Sequence, residues 1–406
     1  MPNYLSILLL ILSMLLLPVE KTYSQSRVHN YYSGLAAMEL GKWEDAGRFF
    51  RDAIQDDIPP KLLYLKLGSI EEHLGNTNDA LKAFLKAESY QKGIASYELA
   101  VHYAQTNKMD SALYYLDQHI RSPYRKNKAE IRTDDQLSEL AKSKAWEEFW
   151  MTNRYAGSEM SMAETQYLIQ QGQQEEALLI ANNLLDRLKR NSEAYFHRGL
   201  IYFSLKDFDY AAEDFEDALK LKPKNDEYAY HLSLAWMQEQ AFKKALKAIR
   251  TARELNSLNP DYLYTEAQIL YKNYETEAAL STLNQYLAFF AHRSEAQVLK
   301  ATILHDLDRI TEAETIVNEL IAQGNPCDAC YYIRGNAHFK KGNFSAAQSD
   351  YSMSLDLNPK DPITFMNRGN TRIMLNDTTG ACYDFEKAYR LGYKNAILSI
   401  RDYCGD

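Results

Sequence analysis

The chain has 406 residues, more than one ordinary hydrophobic core organises, so several domains or an elongated repeat array are expected. Its 46% hydrophobic and 25% charged residues are normal for a folded protein, and 16 glycines and 10 prolines are few enough to favour helices. The net charge of −9 argues against a general affinity for nucleic acid or anionic lipid, and 4 cysteines are too few for a disulfide framework.

The amino-terminal segment differs from the rest of the chain. Its apolar run from Leu5 to Leu17 is shorter than the roughly twenty residues that a membrane-spanning helix needs. It is typical of a secretory signal peptide at 1–24 that is cleaved after Ser24, although no Lys or Arg precedes the run. An uncleaved anchor is the alternative, and it would be the chain's only membrane contact. We therefore expect an exported protein in the periplasm or cell envelope of a Gram-negative-type bacterium.

A column of alanines recurs along the chain after this segment. Seven of them are each 34 residues from the next, and three more lie upstream at spacings of 34 and 32. They are Ala46, Ala80, Ala112, Ala177, Ala211, Ala245, Ala279, Ala313, Ala347 and Ala381. A fixed period of this length is the signature of stacked supersecondary units.

The pattern inside each period predicts two helices joined by a short polar turn, such as Lys206-Asp207-Phe208. Small residues on both helices would let their axes approach closely. Aromatic residues four positions after the alanine would fill the space beside the crossing, as at Phe50, Phe84, Phe215, Tyr351 and Phe385. Acidic stretches such as 213–217 are interpreted as solvated faces.

Two sets of residues resemble the tetratricopeptide repeat. They are Tyr331, Gly335, Ala347, Tyr351 and Pro359, and then Phe365, Gly369, Ala381, Phe385 and Ala388. The resemblance covers nearly all of 27–395. It implies an all-α, right-handed superhelical solenoid of about ten helix-turn-helix repeats plus one degenerate repeat.

The repeat spacing predicts how the solenoid is divided. Three repeats occupy 27–122 and seven occupy 158–395, while 123–157 lacks the small residue of a first helix. This middle region is either a helical joint between two blocks or one irregular unit of a continuous solenoid. The tail at 396–406 is expected to be a capping helix, since the last repeat has no neighbour to cover it.

The resemblance also implies a peptide-binding groove lined by the first helices. Carried over by repeat register, the groove residues are Phe196, Phe203, Tyr230, Met237, Tyr264, Tyr271, Tyr332, Asn336, Phe339, Asn367 and Asn370. Aromatic and Met side chains dominate protein interfaces, although some of these residues could be core between repeats. Asn336 and Asn367 resemble part of the asparagine pair with which chaperone-binding members hold a terminal carboxylate. Tyr332 stands where that clamp has a Lys, so the clamp is incomplete.

The cysteines and histidines are the remaining candidates for chemistry. Cys327 and Cys330 form a CxxC that is a local disulfide, two free thiols or a redox pair, and Cys382 and Cys404 could form a second disulfide. His197 and His231 occupy equivalent repeat positions and could stack, but the sequence gives no metal-site spacing.

The sequence contains no HExxH, GxSxG or GxxxxGK[ST] motif, so we expect no enzyme activity, cofactor, metal or small-molecule substrate. The predicted function is a scaffold of the cell envelope that binds proteins or peptides and no nucleic acid. The alternatives are an assembly subunit that uses its outer surfaces and a CxxC redox accessory protein.

Overall fold

A computed structural model describes residues 28–405 apart from 153 and 156. The predicted signal peptide at 1–24 lies outside the described residues. Throughout the described part the secondary structure is helical, with no strand, which confirms the predicted all-α fold of repeated helix pairs. Among these helices, none combines the length and apolar character needed to cross a bilayer.

The first compact unit contains the described residues up to Glu239 together with Thr251–Leu258. Its helices are α1 (28–39), α2 (Trp43–Asp52), α3 (Pro60–His73), α4 (Thr77–Tyr90), α5 (Ser96–Gln105), α6 (Met109–Ile120), α7 (Lys128–Arg132), α8 (Ser138–Ala141), α9 (Lys144–Met151), α10 (Gly157–Gln170), α11 (Gln174–Arg187), α12 (Ser192–Leu205), α13 (Phe208–Leu221) and α14 (Asp226–Gln238). Helix pairs such as α3 with α4 and α12 with α13 pack against each other along their lengths.

The second compact unit contains Gln240–Arg250 and the described residues from Asn259 onward. Helix α15 (Phe242–Leu255) contributes residues to both units. The remaining helices are α16 (Asp261–Lys272), α17 (Thr276–Leu287), α18 (Ser294–Asp306), α19 (Ile310–Ala322), α20 (Asp328–Lys340), α21 (Phe344–Leu357), α22 (Pro362–Met374), α23 (Thr378–Arg390) and α24 (Ala396–Tyr403). Helix α24 packs on α23 at the end of the chain.

The small residues allow the two helices of a pair to approach closely. All ten alanines of the column have 0% of their surface exposed. A Cβ at Gly199 would lie 2.6 Å from Cε1 of Phe215, and one at Gly369 would lie 2.5 Å from Cε1 of Phe385. The aromatic residue four positions after the alanine therefore packs directly on the glycine of the first helix, a contact that a larger residue would obstruct.

Polar side chains define where several helices begin. Asn191 accepts hydrogen bonds from the backbone N–H groups of Glu193 and Ala194 at the start of α12. Asn225 and Asp361 cap α14 and α22 in the same way. Because these N–H groups have no partner within the helix, a side-chain acceptor at the preceding residue stabilises the first turn.

The turn between the helices of a pair contains a residue in the left-handed region. Its φ is positive at positions 34 residues apart, at Gly172, Lys206, Gln240, Tyr274, Asp308, Gly342 and Asn376. Residues other than glycine are disfavoured there by contact between Cβ and the backbone. The chain therefore retains the same turn geometry in repeats that have a residue other than glycine at this position.

Arginine–aspartate pairs join the two helices of three repeats. Each arginine is on a first helix and its aspartate is 16 residues later on the second helix, and the nearest N–O distance is 2.7 Å in Arg198–Asp214, Arg334–Asp350 and Arg368–Asp384. The interpretation of 213–217 as a solvated face is wrong for Asp214, which is only 3% exposed. It points inward because it binds Arg198 through two hydrogen bonds.

The region between the third and fourth regular repeats consists of short helices. Helices α7, α8 and α9 and a 3-10 turn at Asp135–Leu137 follow one another there. Their apolar residues form a buried cluster with α5 and α6 that includes Ile131, Leu140, Trp146 and Phe149. The region is thus anchored in the core of the first unit while lacking the regular helix pair.

Candidate inner-surface site

The first helices of successive repeats form an inner layer in the second unit. Helix α16 contacts α18, α18 contacts α20, and α20 contacts α22, although each pair is separated in sequence by a second helix. In the first unit, α10 contacts α12 in the same manner. Side chains on these helices are therefore brought together from repeat to repeat.

Asn336 on α20 is the centre of a polar cluster on this layer. Its Oδ1 accepts hydrogen bonds from the hydroxyl of Tyr351 at 2.6 Å and from Nδ2 of Asn367 at 3.0 Å. Its Nδ2 lies 2.8 Å from Nε2 of His305, and Nδ2 of Asn367 lies 3.3 Å from the hydroxyl of Tyr332. Side chains from three consecutive repeats are thereby linked, and each asparagine amide carries both a donor and an acceptor.

Aromatic rings surround this cluster. The ring centroid of Tyr332 lies 5.7 Å from that of His305 and 6.3 Å from that of Tyr351. Burial raises the pKa of the Tyr332 hydroxyl, so this hydroxyl stays protonated and able to donate a hydrogen bond at neutral pH. The cluster thus combines amide, hydroxyl and imidazole hydrogen-bonding groups with aromatic rings.

Two predicted tyrosines extend the layer toward α16. The hydroxyl of Tyr271 donates to Oδ2 of Asp306 at 2.5 Å, and burial together with this carboxylate raises the Tyr271 pKa. Tyr264 is half-buried, and its ring centroid lies 5.4 Å from that of Tyr286. Phe339 packs on Phe344 with ring centroids 5.4 Å apart. The rings are therefore fixed by neighbours, which reduces the entropy lost when a ligand binds.

The predicted residues of the first unit divide between core and surface. Phe196 is only 8% exposed and packs against Phe215, Tyr228 and His231, so it serves the repeat core, an alternative that the sequence left open. Phe203, Tyr230 and Met237 are half-buried. In the second unit Asn370 is exposed.

The sequence did not single out Tyr351 as a member of the site. Tyr351 was assigned only a packing role, yet its hydroxyl binds Asn336. The available signal was a Tyr in a column that elsewhere has Phe at Phe50, Phe84, Phe215 and Phe385. A hydroxyl in a buried aromatic column needs a hydrogen-bond partner, and the structure shows that Asn336 is this partner.

The four cysteines form two disulfides. Cys327 is joined to Cys330 at the start of α20, and Cys382 on α23 is joined to Cys404 just after α24. In the described part of the chain, no group of three or more His, Cys, Asp or Glu side chains is arranged to hold a metal ion. His231 packs on Phe196 and Phe215, and burial lowers its pKa to about 4.

These features define a helical repeat protein. The helices come in pairs, a small residue is buried where the two helices of a pair cross, and the first helices form an inner layer. Family models for the tetratricopeptide repeat match residues 192–225, 31–93, 65–125 and 329–361. The chain is a tetratricopeptide repeat protein.

Two relatives match the chain at low sequence identity. It is 22% identical over 255 residues to human tetratricopeptide repeat protein 16, covering 56% of this chain and 29% of that protein. It is 23% identical over 199 residues to stress-induced-phosphoprotein 1 of Caenorhabditis elegans, covering 47% of this chain and 60% of that protein. The chain thus spans less than two thirds of each of these relatives. In the structure of the APC/C hetero-tetramer Cut9–Hcn1, one chain matches with a TM-score of 0.50 at 13% identity, over 93% of this chain and 83% of the other.

Proposed function

We propose that the protein is a non-enzymatic scaffold that holds an extended peptide or a partner helix on the inner layer of the second unit. The observation that carries this proposal is the Asn336 cluster, which presents amide, hydroxyl and imidazole groups from three consecutive repeats. Peptide backbone groups have the same donor and acceptor chemistry as the asparagine amides. An incoming peptide could therefore replace hydrogen bonds within the cluster by hydrogen bonds of the same amide type.

The aromatic residues supply the apolar part of the proposed contact. Tyr264 and Tyr271 are half-buried on α16, and Tyr332 is half-buried on α20 two repeats later, so part of each ring remains accessible. Burial of large, fixed aromatic rings contributes most of the affinity at many protein interfaces. We place the peptide along this line of rings, with its backbone at Asn336 and Asn367.

We also propose that the protein is exported to the periplasm or cell envelope. The apolar segment from Leu5 to Leu17 supports this location, and so do the two disulfides, because disulfides persist mainly in oxidising compartments. Mass spectrometry of the protein purified from its native host is the test. A mature chain that begins at Gln25 supports export with cleavage, whereas a full-length chain recovered from the cytosol contradicts it.

The peptide site is tested with a random peptide library selected on the purified full-length protein. The dissociation constant of an enriched peptide is then measured for the wild type and for the double variant Tyr332→Ala/Asn367→Ala. We expect the variant to bind at least about tenfold more weakly, since it loses an aromatic anchor and an amide. Circular dichroism would show that both proteins keep the same helix content.

The matched control is Met353→Ala/Tyr383→Ala on second helices, where Met353 is 43% and Tyr383 is 56% exposed. This pair should leave the dissociation constant unchanged. If the control loses affinity and Tyr332→Ala/Asn367→Ala does not, the outer surface is the binding face. The assembly-subunit alternative would then replace the groove.

A further inference from the structure

A cavity of about 520 Å³ lies in the first unit, where the segment leading into α7 meets α10. Arg125, Lys126, Lys128 and Arg132 supply cations to its lining, while Met160 is among its apolar residues. The volume is within the usual range for ligand pockets, roughly 300–1,000 Å³. None of the aromatic, methionine or asparagine residues predicted for the peptide groove lines this cavity.

The charge of this cavity is opposite to that of the whole protein. Four basic residues line it against two carboxylates, Glu130 and Glu193. The charge of Glu193 is compensated by Lys222, whose Nζ lies 2.8 Å from Oε1. A chain with a net charge of −9 thus keeps a local excess of cations at this position, which favours an anionic ligand.

The backbone that carries the cations is fixed in place. The hydroxyl of Tyr155 donates to the carbonyl oxygen of Lys126 at 2.9 Å, and the Lys126 N–H donates to Nε2 of His119 at 2.9 Å. Asn127 and Glu130 form a reciprocal capping box across the first turn of α7. The cations are therefore held on a preformed support rather than on a free loop, which lowers the entropic cost of binding.

One wall of the cavity is apolar and accessible. Met160 exposes 51% of its surface, while Met162 beside it is only 5% exposed. Methionine side chains adapt their shape to varied apolar groups and are common at surfaces that bind peptides. An inorganic anion would leave this wall uncovered, so the lining fits a ligand with both a negative charge and an apolar group.

We propose that this cavity is a second binding site that takes a short acidic peptide segment, with a carboxylate between Lys128 and Arg132 and a neighbouring apolar side chain on Met160. Complementary charge would attract the segment, and burial of the apolar side chain would retain it. The site lies in the first unit and does not depend on the groove proposed in the second unit.

The test uses fluorescein-labelled hexapeptides and the full-length protein. One peptide alternates glutamate and leucine, one alternates glutamine and leucine, and one alternates glutamate and serine. Fluorescence anisotropy should show saturable binding of the first peptide and at least about tenfold weaker binding of the other two. Equal binding of all three peptides, or none by any, would overturn the proposal.

Variants locate the binding. Lys128→Gln/Arg132→Gln should weaken binding of the glutamate–leucine peptide about tenfold or more, and Met160→Ser should weaken it several-fold. The matched control is Lys142→Gln/Lys144→Gln, which removes the same charge. Lys142 directly follows α8 and its side chain is 68% exposed, while Lys144 begins α9 and its side chain is 87% exposed. An equal loss in this control would show charge attraction without a site and would overturn the proposal.

Discussion

Arg368 donates two hydrogen bonds to the carboxylate of Asp384, from Nε to Oδ2 at 2.9 Å and from Nη2 to Oδ1 at 2.7 Å. Arg372 adds a third from Nη1 to Oδ2 at 2.8 Å. The Asp384 side chain is 0% exposed, so this one buried carboxylate serves two arginines on α22. The pair fixes α22 against α23 next to the crossing of Gly369 and Phe385.

Replacing Asp384→Asn should therefore destabilise the protein strongly. Arg368 would lose its anion and Arg372 would keep only Asp377, and removing one member of a buried ion pair costs about 3–5 kcal/mol. Urea unfolding followed by circular dichroism measures the loss. The control Asp402→Asn removes an exposed partner of Arg401 and should change the unfolding free energy by less than about 0.5 kcal/mol. Similar effects in both variants would contradict a structural role for the buried pair.

Replacing Tyr274→Gly should stabilise the protein. Tyr274 has a φ of 62° and is 92% exposed, so its side chain contributes little packing in a conformation that costs a residue other than glycine about 1–2 kcal/mol. Glycine also has a larger backbone entropy in the unfolded chain, which offsets part of this cost. The net gain in the free energy of unfolding is about 0.5–1 kcal/mol. The melting temperature reports this gain.

The same substitution at Tyr210, which is 59% exposed inside α13, is the control and should destabilise by about 0.5–1 kcal/mol. A loss of stability in both variants would mean that the turn conformation carries no such cost.

Acidification should destabilise the protein through His231. Burial lowers its folded-state pKa from 6.5 to about 4, so the unfolded chain binds more protons between these two values. Stability from the neutral imidazole is complete above pH 6.5 and is lost as the pH falls toward 4. Between about pH 7 and pH 5 the loss attributable to this residue is about 2 kcal/mol.

The variant His231→Gln isolates this contribution, because it retains every other titrating group. The difference in unfolding free energy between wild type and variant should shift by that amount between the two pH values. If the free energy of unfolding depends on pH in the same way for the two proteins, the pKa of His231 does not differ between the folded and unfolded states.

Removing the Cys382–Cys404 disulfide should destabilise the carboxy-terminal cap. The cysteines are 22 residues apart. Closing a loop of this length lowers the conformational entropy of the unfolded chain and so raises the free energy of unfolding by about 3 kcal/mol. The double variant Cys382→Ala/Cys404→Ala should therefore melt at a lower temperature than the wild type, and hydrogen exchange should increase first in α24.

The comparison variant is Cys327→Ala/Cys330→Ala, where the separation is only 3 residues and the expected loss is smaller. If both variants lose equal stability, loop closure does not explain the effect of the longer bridge.

The sequence by itself determined the architecture of the repeats. Helical hydrogen bonds are local, and a small residue every 34 positions is needed wherever two helices cross closely, so the alanine column could be read without coordinates. The same local reasoning predicts a capping helix at 396–406. It also predicts an irregular region at 123–157, because the spacing of the alanines is interrupted there.

Tertiary structure decided which side chains meet. Asn336 binds His305 and Asn367, which are 31 residues away on either side, and Arg125 shares a cavity with Met160 on a different helix. Repeat register placed Phe196 and Tyr332 on equivalent groove positions, yet packing of neighbouring rings buried the first and left the second half-exposed. Such contacts depend on the crossing of helices and on neighbouring side chains, and no local pattern in the sequence encodes them.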